Sequence, residues 1–383
     1  MKAITPHYID GKVVEPHGRE VMDSINPTNN TVIGRVMLAD EEDTKRAIDS
    51  AKHALASFGG RSKEERAAIL LRLHEVVKAR IDDLTDAMVE EYGGVHRFSN
   101  LIVQMAADSF FQAEKALQEL PLVRTWNKTS VSLIPVGVAG LITAWNSNAL
   151  FICLKTASAL AAGCTVVVKP SELSSFQTQV LIECVHEAKL PRGVFSVVTG
   201  LGSTVGAELV RNPDVAKISF TGSVAVGQQI MRDGAATMKR VTLELGGKSP
   251  NILLDDVNLD EAIPRALAIA FLNSGQACAA GARLLVPRSR LEEIKQRIVA
   301  VMANMPVGDP NNNDTAIGPM VTRTQYERVE SHIQKGIEEG AEVLVGGEGH
   351  PEGLEAGNFV KPTIFVNVTN DMTMLGKRYS DPS

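Results

Sequence analysis

The sequence predicts an α/β fold whose core is a parallel sheet with helices on both faces. From residue 129 onward, short runs of Val, Ile and Leu alternate with segments of helical periodicity. Such alternation brings each strand back beside an earlier one through a helical crossover, which makes neighbouring strands parallel. The chain has 383 residues, of which 44% are hydrophobic. It is therefore long enough for two domains that each bury a core.

The N-terminal part is predicted to form short strands followed by three helices. A hairpin signal lies at 8–11, and Asp40 is expected to cap the first helix. Ser62 with Glu65 matches the capping box that begins many helices, and apolar residues then recur at helical spacing. The expected elements are strands over 8–39 and helices over 41–58, 62–93 and 101–120.

The middle of the chain carries the alternation of strands and helices. Helices are expected from Ser174, with Gln177 as its capping partner, after Gly202 and after Gly227. The expected strands are 165–168, 195–198, 216–220, 241–245 and 251–254.

The last third continues in the same style, after a domain boundary predicted near the glycine pair at 246–247. The expected elements are helices over 261–272, 290–304 and 324–339 and strands over 283–286 and 341–345.

Composition excludes several classes of function. The net charge is −6, without the basic stripe of a nucleic-acid-binding protein, and apolar runs are too short to cross a membrane. The first residues include no apolar signal region, so we expect a soluble, cytoplasmic protein. The four cysteines form no CxxC pair and are expected to be reduced, and the histidines lack the spacing of metal ligands, so no metal is expected.

The stretch at 273–278 holds the first candidate for catalysis. Cys278 ends a turn of small residues that lies between an expected helix and an expected strand. A thiol at such a turn is suited to act as a nucleophile. The alternative is that Cys278 is a small buried hydrophobic residue, as most single cysteines are.

Two further residues are candidates for the chemistry around a reacting carbonyl. Glu244 lies in an apolar strand before two glycines, where desolvation would raise a carboxyl pKa toward the range of a general base. Asn146 follows a hydrophobic strand, so that its amide can donate to a developing oxyanion. The alternatives are a strand-end glutamate in a salt bridge and an asparagine that only stabilises a turn.

Lys169 and Glu172 lie at the carboxyl end of an expected buried strand, which is where open α/β sheets bind ligands. Lys169 can meet a cofactor phosphate or ribose. Glu172 can accept a hydrogen bond from an adenosine 2'-hydroxyl and would repel a 2'-phosphate, which favours NAD over NADP. The alternative is a capped strand-to-helix turn. Glycine turns at 200–206 and 220–227 can each bring a helix N-terminus to a phosphate, although neither has the spacing of a complete dinucleotide or Walker motif.

Taken together and in this order, these motifs resemble the aldehyde dehydrogenase superfamily. The resemblance runs from YIDGK at 8–12 to KPTIF at 361–365. The matching motifs are PVGV at 135–138, AWN at 144–146, KPSE at 169–172, FTGS at 220–223, ELGGKSP at 244–250 and a GQ-x-C stretch ending at 278.

The resemblance implies an α/β, aldehyde-dehydrogenase-like architecture. A parallel, Rossmann-type NAD-binding domain would comprise residues 1–124 and 144–245, and an incomplete α/β catalytic domain would comprise residues 246–383. A β-hairpin oligomerisation arm would lie at 125–143. Relatives of this kind form homo-oligomers through the arm, and neither nucleic acid nor a membrane is an expected partner.

The resemblance also implies NAD-dependent oxidation of an aldehyde to a carboxylate. Cys278 would be the nucleophile, Asn146 an oxyanion donor and Glu244 the base that activates water, with Lys155 helping to relay the proton. The residues expected to contact NAD are Trp145, Lys169, Glu172, Gly202, Phe220, Gly222, Ser223, Gly227 and Leu245.

Two departures from the family pattern stand out. The usual PWNFP run is AWNSN at 144–148. The loss of both prolines predicts a looser turn, and the loss of the Phe removes an apolar wall of the substrate tunnel. The end also differs: codons for residues 376–383, read two bases later, can spell the family motif EEIFGPV. We therefore expect a frameshifted, C-terminally truncated chain whose arm lacks its partner strand.

These departures leave other functions open. The alternative to an active dehydrogenase is an inactive or weakly active truncated chain that acts at most as a binding or structural protein. A CoA-acylating relative is disfavoured because Glu244 is present. A Cys–His hydrolase fits poorly because no histidine lies at a strand end.

Overall fold

The computed structural model describes residues 2–4 and 7–373. These residues form two compact units. The first comprises residues up to 24, 32–88 and 99–244, and the second comprises residues 25–31, 89–98 and those from 245 onward. The tail at 376–383, where the shifted reading frame is predicted, lies outside the described residues.

The secondary structure follows the α/β alternation that the sequence predicts. The strands are β1 Lys2–Ile4, β2 His7–Ile9, β3 Lys12–Val13, β4 Val21–Asn26, β5 Thr31–Met37, β6 Val123–Trp126, β7 Thr129–Ser132, β8 Val138–Ile142, β9 Thr165–Lys169, β10 Phe195–Val198, β11 Val215–Gly222, β12 Arg240–Leu245, β13 Pro250–Ile252, β14 Arg283–Leu285, β15 Glu342–Val345 and β16 Ile364–Val366. The α-helices are α1 Glu41–Phe58, α2 Lys63–Lys78, α3 Ile81–Tyr92, α4 His96–Glu119, α5 Asn148–Ala161, α6 Ser175–Glu187, α7 Ala207–Arg211, α8 Val224–Ala235, α9 Leu259–Ala270, α10 Leu291–Met302 and α11 Arg323–Glu338.

A seven-stranded sheet forms the core of the first unit, in the order β12-β11-β8-β9-β10-β2-β3. Strands β11, β8, β9 and β10 pair in parallel, with Leu141 of β8 opposite Val168 of β9. Every residue of β8, β9 and β10 is buried. Such continuous burial is typical of parallel strands that are covered on both faces. The predicted parallel α/β sheet is therefore confirmed.

Local capping signals located the starts of the first two helices correctly. Asp40 caps α1, and Ser62 and Glu65 form the predicted capping box of α2. The single helix expected over 62–93 is wrong, because the chain turns after Lys78 and α3 starts at Ile81. Arg80 sits at this break, where its guanidinium pairs with Glu183 at 2.9 Å. The apolar residues keep their helical spacing across this short break, so the sequence pattern does not reveal that the helix is interrupted.

The capping partner predicted for one helix and the start predicted for another differ from the structure, although α6 does begin after Ser174 as predicted. Gln177 does not cap α6; its side-chain oxygen instead accepts a hydrogen bond from the Ala149 backbone N–H at 3.4 Å. The helix expected after Gly227 begins earlier, at Val224, because the Ser223 hydroxyl caps it by accepting from the Val226 N–H at 3.3 Å. Gly227 consequently lies buried in the first turns of α8.

The predicted oligomerisation arm divides into two parts. Strands β6 and β7 form an antiparallel hairpin whose residues are all exposed, and Trp126 retains 78% of its accessible surface. Residues 138–142, at the other end of the predicted arm, are strand β8 in the middle of the seven-stranded sheet. The hairpin exposes apolar surface, and its role in oligomerisation stays a prediction.

The second unit packs helices α9, α10 and α11 with two small sheets. The parallel pair β13–β14 and the antiparallel pair β15–β16 each have two strands within the described residues. An apolar cleft of about 450 Å³ is lined by residues of α9, α10, β14 and β16. Among the residues that the structure describes, no helix combines the length and apolar character that crossing a lipid bilayer requires.

Candidate active site

The predicted oxyanion donor Asn146 and several predicted cofactor residues of the first unit lie along one edge of its sheet. Asn146 follows β8, Lys169 ends β9, Gly202 follows β10 and Gly222 ends β11. These four strands are parallel neighbours, so their carboxyl ends lie along the same edge. Ligands bind at this edge in open α/β sheets.

Asn146 and Trp145 lie in the turn between β8 and α5, and each is only 3% exposed. The turn is hydrogen-bonded along its length. The Trp145 carbonyl accepts from the Ser174 hydroxyl at 3.2 Å, and the Asn146 carbonyl accepts from the Ser147 hydroxyl at 2.7 Å. Asn146 therefore lies in an ordered turn, which an oxyanion donor requires.

Lys169 and Glu172 form an ion pair at the end of β9, with 2.8 Å between Nζ and Oε2. Lys169 is 5% exposed, whereas a quarter of the Glu172 side chain is accessible. The turn itself is capped by Ser171, whose hydroxyl accepts from the Leu173 N–H at 3.3 Å. The pair thus holds a partly accessible carboxylate at the carboxyl end of a buried strand.

The two glycine turns present backbone at the same edge. A Cβ built on Gly202 would meet no atom within 4 Å, so open space lies above this residue. Phe220, Gly222 and Ser223 are buried at the end of β11, directly before the first N–H groups of α8. A helix N-terminus that follows a strand in this way favours a bound anion.

Glu244 is exposed, so the expected desolvation of its carboxylate is wrong. The reason is its position in β12, the terminal strand of the sheet, where every second residue from Arg240 to Glu244 is exposed. The apolar composition of the strand predicted that Glu244 would be buried. Side chains on an edge strand alternate between the two faces of the sheet, and Glu244 is on the exposed face.

Lys155 of α5 interacts electrostatically with Glu244. Its ammonium donates to the Ser219 hydroxyl at 2.8 Å. Burial lowers the pKa of Lys155 to about 8; the negative charge of Glu244 opposes this shift, and the positive charge of Lys217 adds to it. Lys155 therefore titrates near pH 8, under the electrostatic influence of the carboxylate predicted to be the base.

Cys278 lies in the second unit and is exposed, whereas Cys153, Cys164 and Cys184 are buried. None of the four, all within the described residues, forms a disulfide. The exposure of Cys278 therefore argues against the alternative that it is a small core residue.

The turn before the thiol is strained. Asn273, Ser274 and Gly275 all have left-handed φ angles, of 54°, 58° and 76°. Glycine adopts this conformation freely, but a residue with a side chain pays of order 1–3 kcal/mol for it. Backbone strain of this kind persists only where surrounding contacts hold it in place.

Gln276 provides such contacts, and sequence reasoning missed it. Its amide nitrogen donates to the Pro319 carbonyl at 3.2 Å and to the Tyr92 hydroxyl at 3.3 Å, and its oxygen accepts from the Val321 N–H at 3.0 Å. Gln276 is 2% exposed. Burial raises the pKa of Tyr92 well above its ordinary value, so the phenol stays neutral. A polar residue two positions before a candidate nucleophile was the available signal.

The predicted residues therefore divide between the two units. Asn146, Glu244 and most of the NAD-binding candidates belong to the first unit, and Cys278 and Leu245 belong to the second. The convergence of Cys278 with Asn146 and Glu244 stays a prediction. Over residues 2–4 and 7–373, no group of three or more His, Cys, Asp or Glu side chains is arranged to hold a metal ion.

Comparison with known proteins identifies the family. A sequence model of the aldehyde dehydrogenase family matches residues 13–377. The chain is 39% identical to a 3-succinoylsemialdehyde-pyridine dehydrogenase of Pseudomonas sp., over 97% of this chain and 78% of the relative.

Solved structures agree with this match. A cysteine-to-alanine mutant of Pseudomonas syringae aldehyde dehydrogenase C, solved with NAD+ and octanal, aligns with a TM-score of 0.96 at 37% identity and covers 98% of this chain and 78% of its own. A Bacillus cereus aldehyde dehydrogenase solved with NAD+ aligns with a TM-score of 0.94 at 33% identity, covering 100% and 78%. This chain belongs to the aldehyde dehydrogenase family.

Proposed function

We propose that this protein oxidises an aldehyde to a carboxylate with NAD, through a covalent intermediate on Cys278. The observation that carries the proposal is the exposed thiol: Cys278 is the one cysteine of four that a substrate can reach. It lies on a turn fixed by Gln276, as a nucleophile requires. Family membership supplies the reaction class.

In the proposed mechanism, the Cys278 thiolate adds to the aldehyde carbon. The Asn146 amide and the Cys278 backbone N–H donate to the oxygen, which takes up the negative charge. NAD held by the residues of the first unit would supply the acceptor for the hydride that leaves this adduct, which then becomes a thioester of Cys278. Glu244 then takes a proton from water, which attacks the remaining thioester and releases the carboxylate and the free thiol.

The residues of the first unit fit NAD. Glu172 is accessible enough to accept a hydrogen bond from a ribose hydroxyl, and Lys169 fixes its position. The N-terminal amides of α8, with Gly222, Ser223 and Gly227, suit the diphosphate, and Gly202 leaves space beside them. Trp145 and Phe220 of this unit, and Leu245 of the second unit, would supply apolar contacts. The Glu172 carboxylate would repel a 2'-phosphate, which favours NAD over NADP.

The test of this function is NADH formation with purified protein, followed by near-ultraviolet absorbance. The panel contains octanal and a pyridine-ring semialdehyde, which the names of similar proteins suggest. It also contains short polar aldehydes, because Ser147 replaces a bulky aromatic residue in this chain. We expect turnover with at least one class, and a higher kcat/KM with NAD than with NADP. No turnover with any aldehyde and either cofactor would contradict the proposal.

Lys155 provides a pH-dependent check on the mechanism. The neutral amine can take the proton that Glu244 removes from water, and it is populated above the Lys155 pKa of about 8. The rate of thioester hydrolysis should therefore rise as pH increases through about 8, and Lys155→Met should remove that rise and slow hydrolysis by roughly 10- to 100-fold.

The control for this prediction is Lys217→Met, which removes a neighbouring positive charge but leaves the amine. Because Lys217 lowers the pKa of Lys155, the rise should remain and move to higher pH. An unchanged pH profile in Lys155→Met would show that Lys155 does not carry the proton.

We also propose that the exposed β6–β7 hairpin supports association with a second copy of the chain, since it presents Trp126 and other apolar side chains.

The competing function, an inactive binding or structural protein, is not favoured. The family match extends over residues 13–377, and the candidate residues Cys278, Glu244 and Asn146 are present.

A further inference from the structure

We propose that Asn148 is a positioning residue that fixes the turn carrying Asn146 through its buried side-chain amide. The inference rests on the proposed function, in which Asn146 stabilises an oxyanion. In the family pattern this run carries prolines at positions 144 and 148. This chain has Ala144 and Asn148 instead, and hydrogen bonds take over the task of holding the turn.

The Asn148 side chain joins three elements of the first unit. Its oxygen accepts a hydrogen bond from the Thr143 hydroxyl, at the end of β8, at 2.8 Å. Its nitrogen donates to the Thr178 hydroxyl at 3.1 Å and to the Ser174 carbonyl at 3.4 Å, both at the start of α6. Because a carbonyl only accepts, the contact with Ser174 fixes which end of the amide is nitrogen.

Because this hydrogen-bond network is buried, breaking any of its bonds is energetically costly. Asn148, Ser174 and Thr178 are completely buried, and Thr143 is 4% exposed. A buried polar group that loses its partner costs far more than an exposed one, because water cannot replace the lost bond. Any movement of the turn that separates Asn148 from its partners is therefore opposed.

The network holds the chain on both sides of Asn146. Before it, the Trp145 carbonyl accepts from the Ser174 hydroxyl at 3.2 Å; after it, the Ala149 N–H donates to the Gln177 side chain at 3.4 Å. Both anchors belong to the first residues of α6 and the turn that precedes it. The backbone on either side of Asn146 is thus anchored to one neighbouring helix.

Asn148 also occupies a position where proline could restrain the backbone equally well. It is the first residue of α5, and the hydroxyl of the preceding Ser147 makes no capping bond to the helix. The N–H of a first helical residue has no intrahelical acceptor, so proline fits there and fixes φ. A ring and a buried amide are two ways to restrain the same backbone.

The experiment compares Asn148→Ala with Thr165→Val, in the full chain. Thr165 is equally buried in the same unit, and its hydroxyl donates to the Ala51 carbonyl at 2.8 Å, without contact to the turn. We expect Asn148→Ala to lower kcat roughly 10- to 100-fold with the NAD dissociation constant unchanged, because a small displacement of a catalytic donor is costly. Amide exchange of the peptide 143–149 should accelerate in parallel. Thr165→Val should leave both unchanged.

Asn148→Pro is the rescue variant, expected to restore slow exchange of 143–149 and kcat to within about threefold of the parent. The proposal is overturned if Asn148→Ala keeps the parent's exchange and kcat, if Thr165→Val loses as much as Asn148→Ala, or if proline restores neither. Exchange is measured without substrate. A parent protein that oxidised no aldehyde would thus count against the proposed function, while the exchange comparison would still decide the role of Asn148 in the turn.

Discussion

Cys278→Ala is expected to abolish aldehyde oxidation, lowering turnover by on the order of 10⁴- to 10⁶-fold, as loss of a covalent nucleophile does in other enzymes. Alanine cannot form the thioester, so neither half of the reaction can proceed through it. NAD affinity should persist, because other residues are proposed to hold the cofactor. The measurements are NADH formation with the best aldehyde of the panel and equilibrium binding of NAD.

Cys164→Ala is the matched control, since Cys164 is a buried core residue. It should lose a little stability and keep its turnover. Alkylation gives an independent check: iodoacetamide should label Cys278 first, because the other three thiols are buried and burial raises the pKa of Cys184 to about 12. Substantial turnover by Cys278→Ala, or equal labelling of a buried thiol, would remove Cys278 from the mechanism.

Glu244→Gln should slow steady-state turnover by roughly 10²- to 10⁴-fold while leaving the first turnover rapid. Forming the thioester needs the Cys278 thiolate, whereas hydrolysing it needs a base for water. Rapid mixing should therefore show a burst of NADH close to one per active site, followed by a slow phase. Mass spectrometry should detect the acyl group on the protein during that phase.

An exposed carboxylate elsewhere in the first unit, Glu187 at the end of α6, supplies the control. Glu187→Gln should keep both the burst and the steady rate. If Glu244→Gln slowed the burst and the steady rate equally, its carboxylate would act before the thioester forms, and water activation would need another group.

The elements that were predictable are those whose signals are local. Continuous apolar runs located β9 and β10, whereas the run that forms β8 was assigned to the oligomerisation arm. Asp40 and Ser62 marked two helix starts through side chains that bond within the same turn. The order of motifs along the chain was sufficient to indicate the family, since each motif is contiguous.

The features that escaped prediction depend on partners far along the chain. The exposure of Glu244 follows from the place of β12 at the side of the sheet, which composition does not encode. Gln177 satisfies Ala149, 28 residues away, rather than its own helix. AWNSN at 144–148 predicts a looser turn, yet Asn148 meets Thr178 across 30 residues, and that contact supplies the restraint.

At the turn formed by the three left-handed residues 273–275, a substitution that raises thermal stability can also impair catalysis. Glycine at position 274 would relieve the steric cost of that backbone, but it would also remove the Ser274 hydroxyl that accepts from the Gly318 N–H at 2.8 Å. A laboratory selection for survival at high temperature can therefore enrich changes here that loosen the cysteine's support. Thermostable descendants of this chain are best screened for catalysis at every round, since a higher melting temperature gives no assurance that the thiol is still correctly placed.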